Sequence, residues 1–270
     1  MKNKNEKSVK EERDSSLVIS NQTPFAIKEA FGLLRTNLIY TSVTTEGAPV
    51  FAITSAGECS GKSTIIANLA SEFAHIEKRT ILIDADMRYP TQHKFFKYSK
   101  RSVGLSEILS GIVKDKNEAI IHTEDKYLDL LPAGHIPPNP SELFHNKRFG
   151  RLIEQLKGEY YYIFVDFPPI GVVSDAVTVV NHIDSYLFLI RANVSNRIGV
   201  MESLEELTTV GANIAGLILN DVDYKDGMFG GGDKYSAGRY GRYGKYGRYN
   251  KYSKYSKYYT MYTNSEKDKK

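Results

Sequence analysis

Six short apolar runs punctuate the chain: Val50–Thr54, Thr80–Ile83, Tyr127–Leu131, Tyr161–Val165, Ser185–Ile190 and Ile214–Leu219. Most are apolar on both alternating faces, which is the pattern of strands covered on both sides. Between them, residues 63–75, 141–157, 174–182 and 196–210 repeat apolar positions at helical spacing. Upstream, Thr23-Pro24 reads as an N-cap followed by proline at the first helical position. Ile27, Phe31, Leu34 and Leu38 then continue one helix face to about Thr41. This alternation predicts an α/β fold, a mostly parallel sheet with helices on both faces and a ligand crevice at the carboxyl ends of the strands.

Both ends of the chain lose that pattern. Residues 1–22 are polar and charge-rich and are expected to form a disordered leader, with the folded body spanning 23–225. From residue 226 onward the composition turns to glycine and then to a tyrosine at every third position. Ten of the 19 tyrosines lie there: Tyr235, Tyr240, Tyr243, Tyr246, Tyr249, Tyr252, Tyr255, Tyr258, Tyr259 and Tyr262. A period of three suits neither an amphipathic helix nor a strand, so 226–270 is expected to be a disordered tail.

Charge follows the same division. The formal net charge is +4, yet residues 234–270 hold 11 Lys/Arg against two acids, leaving the rest at −5. Basicity therefore belongs to the tail, and no nucleic-acid partner is expected for the body. A lone Cys59 permits neither an internal disulfide nor a CxxC site, in keeping with a reducing compartment. No apolar run approaches the roughly 18 residues that span a bilayer, and the charged start has no apolar segment behind it, so a soluble, cytoplasmic protein is expected.

Between the first apolar run and the helix-like Ile65–Ala70 stands Ala56-Gly57-Glu58-Cys59-Ser60-Gly61-Lys62-Ser63-Thr64. A small residue, four positions, then Gly-Lys-Ser at a strand-to-helix junction is a phosphate-binding loop. Its backbone N–H groups can curl around phosphate oxygens at a helix N-terminus, with Lys62 on the outer phosphates and Ser63 on Mg²⁺. Ala56 stands where glycine is usual, and Cys59 replaces a common glycine.

Two further apolar runs end in carboxylates: Ile83-Asp84-Ala85-Asp86-Met87-Arg88 and Val165-Asp166-Phe167-Pro168-Pro169. Beside a phosphate loop, such groups can hold Mg²⁺ while another orients or deprotonates a nucleophile. The simpler role for Asp84 or Asp86 is to cap the next element. A nucleotide-driven partition ATPase of the same fold, and a tail that stacks on bases, are the competing functions. The loop lacks the extra early lysine common in partition ATPases.

The chain resembles the bacterial tyrosine kinases of capsule and exopolysaccharide synthesis, in the Gram-positive cytoplasmic form. The resemblance rests on Lys28-Glu29-Ala30-Phe31, Leu34-Arg35-Thr36-Asn37, the phosphate loop, residues 84–90, Leu131-Pro132-Ala133-Gly134, Pro138-Asn139-Pro140-Ser141-Glu142-Leu143, Asp166–Pro169, residues 219–223 and the terminal tyrosines. It implies an ATP- and Mg²⁺-dependent autokinase that phosphorylates the ten tail tyrosines of neighbouring subunits and regulates polysaccharide synthesis and export. In that scheme Gly57–Thr64 bind ATP, Asp86 and Asp166 support the metal with Ser63, and Asp84 activates the tyrosine hydroxyl. Arg191 and Asn220 fall at the adenine site, or pair locally. The implied partners are a transmembrane polysaccharide co-polymerase or adaptor that tethers the kinase to the membrane and activates it, a cognate tyrosine phosphatase, and further copies in a ring. Glu29, Gly32 and Arg35 occupy the ring-interface positions, where the middle basic residue is missing.

Overall fold

The computed structural model describes residues 17–20, 23–98 and 103–222; the tyrosine-rich segment lies outside the described residues. Helix α1 (Phe25–Thr41) leads into β1 (Val50–Ser55), α2 (Lys62–His75) and β2 (Thr80–Asp84). Short helices α3 (Gln92–Phe95) and α4 (Leu105–Ser110) and a 3-10 turn (Lys116–Glu118) precede β3 (Ile121–His122) and β4 (Leu128–Leu131). Helices α5 (Pro140–His145) and α6 (Arg148–Lys157) follow, then β5 (Tyr162–Asp166) and α7 (Asp175–Thr178). The chain closes with β6 (Ser185–Arg191), α8 (Arg197–Thr209) and β7 (Ile214–Asn220).

The strands form one sheet in the order β3-β4-β2-β5-β1-β6-β7, parallel except for β3. Alternate residues of each strand feed two cores, which is why the runs are apolar throughout. Val50, Ala52, Ile81, Ile83, Ile163, Val165 and Phe188 pack on one face against Phe149, Leu152, Ile153 and Leu156 of α6 and Val200 and Leu207 of α8. Phe51, Ile53, Leu82, Phe164 and Leu189 face the other way, against Ile66, Leu69, Ala70 and Phe73 of α2 and Phe31 and Leu38 of α1. All six expected strands are present.

Local details differ from the sequence expectation. The helix expected over 141–157 is broken, because Asn146 adopts an extended conformation and its Oδ1 accepts from the Arg148 amide at 2.8 Å, starting a new helix. The expected 174–182 helix is a four-residue turn of α-helix followed by a 3-10 turn at Val180–His182. Leu17–Ser20, assigned to the leader, instead lie on α2. Buried Asn68 accepts from the Ile19 amide at 2.6 Å and donates to the Leu17 carbonyl at 3.0 Å, while Val18 and Ile19 pack on the α2 core. A polar strap with apolar side chains gains both hydrogen bonds and burial there.

Candidate nucleotide and phosphoryl-transfer site

The register of the sheet assembles the site. β2 and β5 are neighbours, and their last paired residues are Asp84 and Asp166. On the other side of β5, Asp166 pairs with Ile53 of β1, the strand that feeds the phosphate loop. One strand end therefore brings three sequence motifs together.

The loop backbone has the conformation phosphate binding needs. Cys59 sits at φ 57° and Gly61 at φ 97°, both left-handed. The φ of Gly61 favours glycine, and a Cβ there would meet Asn220 Nδ2 at 2.5 Å and push that side chain off the loop. Cys59 tolerates its positive φ with its side chain exposed. α2 then starts at Lys62, which turns the first-turn amides toward the loop.

Arg191 and Asn220 reach this loop from the ends of β6 and β7. Arg191 Nη1 donates to the Cys59 carbonyl at 3.0 Å and Nε to Asp221 Oδ2 at 2.9 Å, while Asn220 Nδ2 donates to the Ser60 carbonyl at 2.9 Å. These bonds occupy loop carbonyls and leave the amides of the same peptides for anions. The structure thus places both residues on the loop backbone.

Lys62 is buried to 7 % exposure, and burial lowers its pKa against the opposing pull of Asp166 and Asp86. Asp84 and Asp166 are completely enclosed. Burial, then the charges of Asp166 and Asp86, hold Asp84 well above the usual carboxylate range, while the Gln92 and Thr91 amides pull the other way. Burial pushes Asp166 up to about 6 against the Lys62 ammonium and hydrogen bonds from Ser63 and Gln92. Asp84 Oδ2 accepts from the Thr91 and Gln92 amides at 3.0 Å each, so this residue also caps α3. Asp86 Oδ1 accepts from the Tyr89 amide at 2.9 Å and more weakly from Arg88 at 3.2 Å. Asp84 Oδ1 and Asp166 Oδ1 are buried without a hydrogen-bond partner among the described residues.

The comparisons with known proteins agree with this geometry. A model of the AAA domain matches residues 49–215. The tyrosine-protein kinase CpsD of Streptococcus agalactiae serotype III is 34 % identical over 203 residues, covering 75 % of this chain and 86 % of the relative. The chain belongs to the bacterial tyrosine-protein kinases. The solved chimerical protein CapA2B2 superposes on this kinase with a TM-score of 0.70 and 34 % identity, covering 76 % of it and 89 % of that chain. The septum site-determining protein MinD of Pyrococcus horikoshii, solved with Mg-ADP, superposes at 0.55 with 22 % identity over 64 % of the kinase and 70 % of that chain. That likeness is one of fold alone.

Two site residues of the kinase carry no local sequence signal. Gln92 is fully buried, donating to Asp166 Oδ2 at 2.7 Å and to the Ser63 carbonyl at 3.1 Å, and so ties α3 to both the phosphate loop and β5. Arg88 makes two bonds to Asp175, at 3.2 and 3.1 Å, and one to Ser141 at 2.9 Å. That cluster fixes the segment after Asp86 to α5 and α7. Arg35, expected at a ring interface, binds Glu72 Oε2 of α2 at 2.7 Å within the same chain. Among the described residues no helix is long and apolar enough to cross a membrane.

Proposed function

We propose that the kinase transfers the γ-phosphoryl group of ATP to the tyrosines of its own C-terminal segment, between copies of the chain. The observation that carries this reading is the pair of unpartnered, buried carboxylate oxygens on Asp84 and Asp166, the latter facing the Lys62 ammonium. Enclosed anionic oxygens without donors are costly unless a cation completes them, and the oxygen-only donor set, with the Ser63 hydroxyl, suits Mg²⁺. Ser63, Asp166 and Asp86 would hold that ion, which when bound neutralises charge on the β- and γ-phosphates.

In this reading the residues of the chain divide the work. Loop amides from Gly57 to Thr64 bind phosphate oxygens, and Lys62 places its charge on the outer phosphates. Gln92 keeps Asp166 aimed at Ser63. Asp84 accepts the proton of the attacking tyrosine hydroxyl through Oδ1, the oxygen that has no partner among the described residues. The hydroxyl oxygen bonds the γ-phosphorus as the bond to the ADP oxygen breaks.

The phosphoacceptors are Tyr235, Tyr240, Tyr243, Tyr246, Tyr249, Tyr252, Tyr255, Tyr258, Tyr259 and Tyr262. The reading extends to capsule or exopolysaccharide synthesis, with a transmembrane adaptor that recruits the kinase to the cytoplasmic membrane face and activates it, and a phosphatase that resets it. Family membership and the charged, tyrosine-dense tail support this extension. Lys62→Met tests the site: it should keep the fold, weaken ATP binding and remove phosphotyrosine. Phosphotyrosine at the unsubstituted level, with unchanged ATP affinity, would overturn the assignment.

A further inference from the structure

A cleft of about 380 Å³ opens on the flank of the phosphate loop, between the segment after β5 and α8. Its floor reaches Ala56, the first residue of the loop. Ile170, Val172 and Val173 give it one apolar wall, while Glu202 and Glu206 line the other, one helical turn apart on α8. Both acids are exposed. Ser203 lies between them with only 2 % exposure. The cleft thus offers an apolar surface and two carboxylates, with the Ser203 side chain between them. None of these groups takes part in the phosphoryl-transfer site.

We propose that this cleft docks the chain's own Lys/Arg-Tyr repeat, residues 239–258. Each repeat sets a cation directly before a ring, as in Arg239-Tyr240, Arg242-Tyr243 and Lys251-Tyr252. The cation bridges Glu202 and Glu206, the ring covers Val172 and Val173, and the phenol hydroxyl lies against Ser203. Complementary charge favours this occupant, since the segment 234–270 carries an excess of +9 against −5 on residues 1–233.

Attachment favours the same chain over a second copy. β7 ends at Asn220, which is bonded to Ser60 of the loop whose first residue floors the cleft. The 16 residues from 223 to 238 can extend to roughly 50 Å, several times the reach of the five-residue stretch from Ala56 to Ser60. A tether with that slack raises the local concentration of the repeat into the millimolar range. Docking holds one repeat at the loop flank while the others stay available to a neighbouring active site. A phosphorylated ring, with about −1.5 to −2 of added charge, is repelled by the two glutamates and leaves, so modified repeats are exchanged for unmodified ones. The role of that exchange rests on the tail being the kinase's substrate, whereas docking itself does not.

The test is photocrosslinking of the full chain without nucleotide, with Val172 replaced by benzoylphenylalanine. The expected products are crosslinks to peptides from 239–258 at monomer mass, with a yield that survives a roughly tenfold dilution. Glu202→Gln with Glu206→Gln should lower that yield about fivefold or more, leaving thermal stability and ATP binding unchanged. Absence of tail peptides, a dimer-mass product that fades on dilution, or a yield indifferent to the double substitution would overturn the proposal. With no nucleotide present, failure of docking and failure of tail phosphorylation read out separately.

Discussion

Two buried charged clusters lie within the same crevice region of this kinase and are built in opposite ways. Around Asp175, Arg88 supplies two guanidinium bonds and Ser141 Oγ donates a third at 2.6 Å, so the fully enclosed carboxylate is well supplied. At the ends of β2 and β5, Asp84 and Asp166 are equally enclosed, yet each keeps an oxygen without a partner. The first cluster is complete within the chain and ties loops together. The second is completed only by something that binds, and its carboxyl pKa values are raised by burial. Burial of charge is thus shared by both clusters, and only satisfaction of the charge separates scaffold from site.

The comparison is broken most strongly at Asp84. Asp84→Asn should reduce phosphotyrosine formation by about 10²-fold or more while changing ATP affinity far less, because a proton acceptor acts on turnover. Unchanged turnover would leave Asp84 with only its capping role on α3. In the satisfied cluster the loss should fall on the fold instead: Asp175→Ala removes both carboxylate bonds to the buried Arg88 charge and should cost about 3–5 kcal/mol in denaturant unfolding. A loss no greater than that of an exposed substitution would show that the cluster is not structural.

Acidification sharpens the contrast. Asp166 titrates near 6 when folded, above its unfolded value, so its charge destabilises the nucleotide-free protein at neutral pH. Lowering pH from 7.5 toward 5 should therefore relieve strain from this group on the order of 1–3 kcal/mol. Magnesium-nucleotide affinity should move the other way, weakening as pH drops below about 6 and a proton competes for the carboxylate. Calorimetry with and without Mg-ATP across that range checks both signs, with Asp166→Asn as the control that removes this group's share of each dependence. The smallest effect belongs far from either cluster. A Cβ at Gly32 meets nothing within 4 Å, so Gly32→Ala should stabilise α1 by about 0.5–1 kcal/mol in the same unfolding assay.

Much of this was legible in the chain, for definable reasons. Six strands announce themselves because burial on both faces makes them continuously apolar; Asp84 and Asp166 stand out as charges closing two of those runs, and Lys62 as the charge of the phosphate loop. β3, two residues long, and the four-residue α3 are too short to establish a period. Helix α4 did leave a signal, Gly104 and Gly111 around Leu105–Ser110 with Glu107 Oε2 accepting from the Gly104 amide at 2.7 Å. Gln92 and the Arg88–Asp175 pair left none, since their partners lie 74 and 87 residues away and only the fold joins them. Arg35 showed its charge but not its direction: pairing with Glu72 depends on how α1 packs on α2.

The central claim is that the site modifies tyrosines of the C-terminal segment of another copy. The direct test mixes unsubstituted kinase with the intact Lys62→Met chain carrying an isotopic label, adds Mg-ATP and the activating adaptor segment, and maps phosphotyrosine on the labelled chain by mass spectrometry. Phosphate on the labelled chain at tyrosines from Tyr235 to Tyr262, and none when the Lys62→Met chain is incubated alone, is the expected result. Phosphotyrosine confined to the unsubstituted chain, or located outside that segment, would contradict the account.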